Sequence, residues 1–163
     1  MIIIRKAGLK DIPIIVKLWK EFLKYHDELL MKRNPKLNPY LVKKKTATNS
    51  FRKFIKRNIR SKNAVLYIAE VGEKPAGYCL VYIKNNIPIF KLEKIGHISD
   101  LFVKQEYRKQ GISSKFKNEA IKWLKKKRIK HISLQVYKDN DFAHSIYGKW
   151  GFDDYHIEMR RKT

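Results

Sequence analysis

Residues 97–127 read HISDLFV-KQEYRKQ-GISSKFKNEAIKWLKKK. An apolar run enters a short basic turn, and the turn opens into a helix over 111–127. A strand that feeds a long helix in this way must lay the helix back on a sheet. The first turn of a helix has unpaired N–H groups and the positive end of the dipole, which together attract anions. Small residues there let a phosphate approach the backbone, and Gly111, Ser113 and Ser114 are small. Arg108 and Lys109 add charge just before them. On spacing alone, a plain strand-to-helix turn accounts for the pattern equally well. There is no glycine-spaced GK[ST] and no GxGxxG, so the usual nucleoside-triphosphate and dinucleotide readings fail.

The remaining segments predict what this unit joins. Residues 2–7 read as a first strand. Asp11 reads as the N-cap of a helix with Pro13 in its first turn, and Ile15, Leu18, Trp19, Phe22, Leu29 and Leu30 follow at helical spacing. His26 lies on that stripe and reads as a packed histidine. Residues 32–50 hold two prolines and no period, which predicts a loop. Asn49 or Ser50 then reads as the cap of a second helix with Phe51, Phe54, Ile55 and Ile59 on one side. Its bases Lys53, Lys56 and Arg57 read as a solvated face. A hairpin follows, 64–71 and 78–84 around GEKPAG. Strands are expected over 95–103, 131–137 and 153–161, and a short helix over 139–150. The expected fold is α+β (mixed α/β), a mostly antiparallel twisted sheet flanked by helices, in one domain over 1–163.

Composition limits the partners. The net charge of +23 comes from 38 basic and 15 acidic side chains and predicts a field that attracts polyanions. Most of the bases are lysines spread along the chain, which argues against nucleic acid and suits a small polyanionic cofactor. Lys-rich surfaces also occur in proteins from hot environments. The single cysteine, Cys79, sits in a strand-like run and reads as a core residue; an internal disulfide is excluded. No apolar run is long enough to span a bilayer, and residues 1–8 lack a signal-peptide pattern, so a cytoplasmic protein is expected.

Two segments carry a resemblance. RKQGIS, 108–113, resembles the [RQ]-x-x-G-x-[GA] loop of the GNAT superfamily of N-acetyltransferases, with Ser113 in place of the usual Gly or Ala. NDFAHSIYGKWGF, 140–152, resembles the N-x-x-A-x-x-x-Y-x-x-x-G-F segment of the same family, a helix and a strand further on. The match covers 95–152. It implies a GNAT-like fold that uses acetyl-CoA as cosubstrate and needs no metal. Its pyrophosphate would sit on the backbone N–H groups of Lys109, Gln110, Gly111, Ile112, Ser113 and Ser114, with Arg108 adding charge to the cofactor site. Its pantetheine arm would pair with Leu101, Phe102 and Val103, and Asn140 would contact it or cap its helix.

The resemblance also implies roles. Tyr147 matches the tyrosine that protonates the CoA sulfur. Asp100 is retained from an acidic pair, with Ser99 departing, and is a candidate base. His97 is a second candidate base, two residues from Ser99 and on the same strand face. The acceptor is expected to be a primary amine on a small molecule, an amino acid or a protein, with Tyr40 as a lid residue and a homodimer as the assembly. Two alternatives remain: a basic nucleic-acid-binding module, and an acyl-CoA sensor without catalysis.

Overall fold

The computed structural model describes residues Met1–Thr163. Its elements are β1 (Ile2–Lys6), α1 (Ile12–Arg33), α2 (Asn38–Leu41), α3 (Ala47–Arg60), β2 (Ala64–Val71), β3 (Lys74–Asn85), β4 (Lys94–Val103), α4 (Ile112–Lys126), β5 (Ile132–Leu134) and α5 (Asp141–Lys149). The five strands lie side by side in chain order. The first three pairings are antiparallel, and β4 pairs with β5 in parallel. The expected mixed α+β sheet with flanking helices is what the chain forms.

The β2–β3 hairpin turns on Gly72 and Glu73, both with positive φ, as a two-residue turn between twisted strands requires. Side chains alternate across the sheet and build two cores. On one face Val65, Tyr67, Cys79, Val81 and Ile98 meet Ile112, Phe116, Trp123 and Leu124 of α4. On the other, Leu66, Ile68, Tyr78, Leu80 and Phe102 meet Ile15, Leu18, Phe51 and Ile55 of α1 and α3. Each buried Leu, Ile or Phe contributes roughly 1.5–3 kcal/mol. Arg5 ties the β1 end to the α1 start by pairing with both Asp11 and Glu70, at 2.9 and 2.8 Å.

Four local expectations are corrected. Residues 32–50 are not one loop. The chain turns through Pro35–Leu37 and the short α2, with both prolines in first-turn positions where their missing N–H costs nothing. Asn49 and Ser50 are not caps, because α3 begins at Ala47 after Thr46. β5 is 3 residues long rather than seven, because β4 and β5 separate after Ile98. Residues 153–161 form no strand. Tyr155, Ile157 and Met159 have strand alternation, yet no neighbouring strand pairs with them, and they stay exposed.

Candidate active site

Three features converge at the C-terminal end of β4. The first is the turn before α4. The Arg108 amide donates to the Gln105 carbonyl at 3.2 Å, and the Lys115 amide to the Gly111 carbonyl at 3.0 Å. Between them, the amides of Lys109, Gln110, Gly111, Ile112, Ser113 and Ser114 have no acceptor in the protein. Positive φ at Lys109 (62°) and Gly111 (78°) curls this backbone. Consecutive free N–H groups in such a curl, at the positive end of a 15-residue helix, form an anion seat. Arg108 holds the turn in place. Its Nε donates to the Val103 carbonyl at 3.0 Å, and its guanidinium lies 4.0 Å from the Tyr25 ring centre. Ser113 is half-buried and Ser114 exposed.

The second feature is an open strand edge. β5 pairs with β4 only at Gly96, His97 and Ile98. Residues 99–103 are held by β3 on one side and by no strand on the other. Leu101 and Val103 point into the α4 core, and Phe102 into the α1 core. An extended ligand therefore finds backbone groups beside Leu101 with no strand partner, while the Val103 carbonyl is taken by Arg108.

The third is a bulge in β4. Leu80 pairs with Asp100, but Val81 pairs with Ile98, so Ser99 is an extra residue. Strict alternation would put Asp100 on the opposite face from His97; the bulge turns it back. Asp100 then accepts a hydrogen bond from the Tyr78 hydroxyl at 3.0 Å, on the α1 face. Burial raises the Asp100 pKa, against the lowering effect of that hydrogen bond. Tyr78 was invisible as a site residue in the sequence, since its role depends on strand register.

His97 shares that face, with its ring 5.3 Å from that of Tyr82. Its Nδ1 meets the Ser133 hydroxyl at 2.9 Å. Burial, with Lys84 nearby, lowers its pKa to about 4. His97 is therefore neutral near pH 7 and a weak base. A stability prediction follows from this. The folded pKa lies below the ordinary value of about 6.5, so between the two the unfolded chain binds more protons. Stability present above pH 6.5 is lost as pH falls toward 4, by about 3 kcal/mol. The urea midpoint of the His97→Gln variant should fall less over that range than the wild-type midpoint; equal falls would assign the acid sensitivity to other groups.

Tyr147 arrives from the other face, on α5. Its ring packs near Trp150 and Phe152, at 5.5 and 6.2 Å between centroids, and Trp150 receives Lys117 of α4. Burial, with Cys79 of β3 nearby, pushes its phenol up to about 12. Asn140 caps α5, its Oδ1 accepting from the Ala143 amide at 3.2 Å. The open β4 edge thus has a carboxyl on its α1 face and a phenol approaching from its α4 side. On the α1 side an aromatic line runs from Tyr78 through Phe102, Phe22 and His26 to Tyr137. His26 is packed in it, as its helix position suggested. Tyr40, on α2, carries Arg160 over its ring at 5.5 Å. Asp27 is paired with Lys43, and Glu28 is exposed. No group of three or more His, Cys, Asp or Glu side chains is placed to hold a metal. No helix is long and apolar enough to cross a membrane.

A turn of six free amides, an open strand edge beside it, Asp100 on the α1 face and Tyr147 on the α4 side make up the candidate site. The family model described as "Acetyltransferase (GNAT) family" matches residues 23–152. The chain belongs to this family of enzymes. An uncharacterised N-acetyltransferase of Methanocaldococcus jannaschii is 29% identical over 115 residues, 71% of this chain and 49% of the relative. The chain therefore spans about half the length of that protein. An N-alpha-acetyltransferase of Sulfurisphaera tokodaii is 25% identical over 156 residues, 93% of this chain and 80% of the relative. Among solved structures, a Bacillus halodurans protein matches with TM-score 0.81 and 20% identity over 99% of both chains. A Clostridium acetobutylicum structure described as a predicted acetyltransferase with acetyl-CoA matches with TM-score 0.74 and 19% identity, over 99% of this chain and 96% of that one. At these identities the structures show a shared fold.

Proposed function

We propose that this chain is a single catalytic unit that transfers the acetyl group of acetyl-CoA to a primary amine by direct attack. The observation that carries the proposal is the run of six unbonded amides, 109–114, beside the unpaired edge of 99–103. The amides suit a pyrophosphate, and the edge suits the amide groups of a pantetheine arm. Acetyl-CoA supplies an already activated thioester, so the protein's tasks are positioning and proton transfer. The amine enters from the α1 face. Its nitrogen bonds to the thioester carbon and gives up a proton to Asp100, whose raised pKa makes it a better base than an ordinary carboxylate. A free N–H on the β4 edge stabilises the oxyanion. The carbon–sulfur bond breaks, and the Tyr147 phenol protonates the departing thiolate. His97, neutral and bonded to Ser133, has a structural role in this scheme.

The acceptor class is a primary amine on a small molecule, an amino acid or a protein. The Sulfurisphaera tokodaii relative, named an N-alpha-acetyltransferase, supports protein amines as the first group to screen.

Thermal unfolding with acetyl-CoA tests the cofactor assignment. A ligand at about 100 times its Kd adds about 2.7 kcal/mol, so the melting temperature should rise by several degrees with acetyl-CoA but not with ATP or NAD. No rise would remove the proposal's basis. Ser113→Asp gives a sharper test, because its two effects have opposite signs. A carboxylate in the first turn of α4 stabilises the free protein by about 0.3–1 kcal/mol. The same charge repels the pyrophosphate, and acetyl-CoA affinity should fall by about 100-fold or more, in keeping with the roughly 4 kcal/mol between two like charges about 4 Å apart near a protein surface. Calorimetric titration of both proteins measures it; unchanged affinity would place the pyrophosphate elsewhere.

A further inference from the structure

We propose that Tyr25 of α1 is a positioning residue for the cofactor: given the reading of the 109–114 amides as a pyrophosphate seat, its ring holds Arg108 beside them as an ordered, uncompensated cation.

Arg108 is a charge without a counter-charge. Two arginines, Arg5 and Arg108, are half-buried, and the others are exposed. Arg5 meets two carboxylates, Asp11 and Glu70, at 2.9 and 2.8 Å. Arg108 forms no ion pair. Its partners are neutral: the Val103 carbonyl, which accepts from Nε at 3.0 Å, and the Tyr25 ring. A cation taken partly out of water without an anion is costly. Here it directly precedes six unbonded amides, which also want an anion. A ligand phosphate would satisfy both.

The ring orders that charge without cancelling it. Arg108 Cζ lies 4.0 Å from the Tyr25 ring centre. The other cation–ring pairs in the chain are more open, at 5.5 to 5.9 Å. A carboxylate in the same place would neutralise the guanidinium, as Glu21 does for Lys104 at 3.6 Å. An aromatic face attracts a cation through its quadrupole and carries no net charge. Tyr25 is itself held in place by its helix. Glu21, one turn earlier on α1, is tied to Lys104 just past β4, and Phe22 packs on Phe102 of β4 at 5.7 Å. Positions 21 and 22 neighbour 25 on the helix surface, so α1 is fixed against the end of β4 and presents the ring to the turn.

Calorimetric titration of the whole chain with acetyl-CoA tests the role, using Tyr25→Leu, Tyr25→Phe, Arg108→Gln and the Tyr25→Leu/Arg108→Gln double variant. Leucine keeps an apolar, helix-forming residue and removes the ring; phenylalanine keeps the ring. Tyr25→Leu should weaken binding about tenfold, the order of one partly desolvated cation–π contact. Tyr25→Phe should stay within about twofold of wild type. In the Arg108→Gln background, Tyr25→Leu should add less than about twofold, because the ring then has no cation to hold. The cycle reads this coupling whatever the melting temperatures of the single variants. A tenfold loss in both backgrounds would mean that Tyr25 only packs α1, and would overturn the proposal. An equal loss with phenylalanine, or unchanged affinity with leucine, would overturn it too. Wild-type protein that does not bind acetyl-CoA is a separate outcome: it would remove the cofactor assignment itself, and the role of Tyr25 with it.

Discussion

Replacing Tyr147 by Phe is expected to lower kcat by about 100-fold or more and to leave the acetyl-CoA-induced rise in melting temperature intact. The phenol is on α5, half-buried near Cys79 of β3, and its ring is packed by Trp150 and Phe152. Phe keeps that packing and removes only the hydroxyl proposed as proton donor. With the phenol at about 12, the group stays protonated throughout the working range. Activity that depends on the acid form is therefore flat to about pH 11 and falls above it. A descending limb between pH 7 and 10 would belong to another group. The check is steady-state CoA release against pH for both proteins. A loss below about threefold in kcat would mean that the thiolate leaves without Tyr147, and the assignment would fall.

The second large effect is expected at Gly77, far from Tyr147 in the chain but paired with the end of β4, the strand proposed to hold the cofactor. Gly77 pairs with Val103, and a Cβ built there would meet the Phe102 carbonyl oxygen at 2.2 Å. That oxygen is backbone, so no side-chain rotation relieves the contact; the end of β4 must move. Gly77→Ala should destabilise the protein by about 3 kcal/mol. For a chain of this length that lowers the melting temperature by roughly 10 °C. Because the displaced strand carries Leu101, Phe102 and Val103, acetyl-CoA affinity should fall as well. Gly72→Ala, in the β2–β3 turn, is the control. It meets nothing within 4 Å and bears only the cost of its positive φ, so its loss should be near 1 kcal/mol with cofactor affinity unchanged. Equal melting temperatures for the two variants would show that β4 yields more easily than its packing implies.

These two residues illustrate what a sequence can convey. Tyr147 could be singled out as a candidate because it sits in a spaced segment, N-x-x-A-x-x-x-Y, whose residues lie on one short helix; local order brings them together. The turn before α4 could be singled out for the same reason, since strand, turn and helix are consecutive in 97–127. Gly77 was not legible as a site residue. Its importance comes from the pairing partner opposite it, 26 positions later. The bulge at Ser99 was hidden too. Nothing in Ser99-Asp100-Leu101 announces an extra residue, and strict alternation would have put the wrong side chain on the acceptor face.

The errors have the same physical origin. Residues 153–161 have the alternation of a strand, but a strand also needs an edge to pair with, and no edge of this sheet takes them up. Residues 131–137 look uniformly like a strand, but the separation of β4 from β5 leaves only Ile132–Leu134 paired.

By itself, then, the sequence determined the mixed α+β class and the order of β1, α1, α3, β2, β3, β4, α4, β5 and α5, and it marked the turn before α4 as a place to look. Periodicity, capping and small residues are local properties, readable within one or two turns. The tertiary structure alone decided that Asp100 shares a face with His97, that the β4 edge is left open beyond Ile98 and that six amides stay unpaired. Those depend on strand register and on which backbone groups find partners, and both are settled only when distant segments meet.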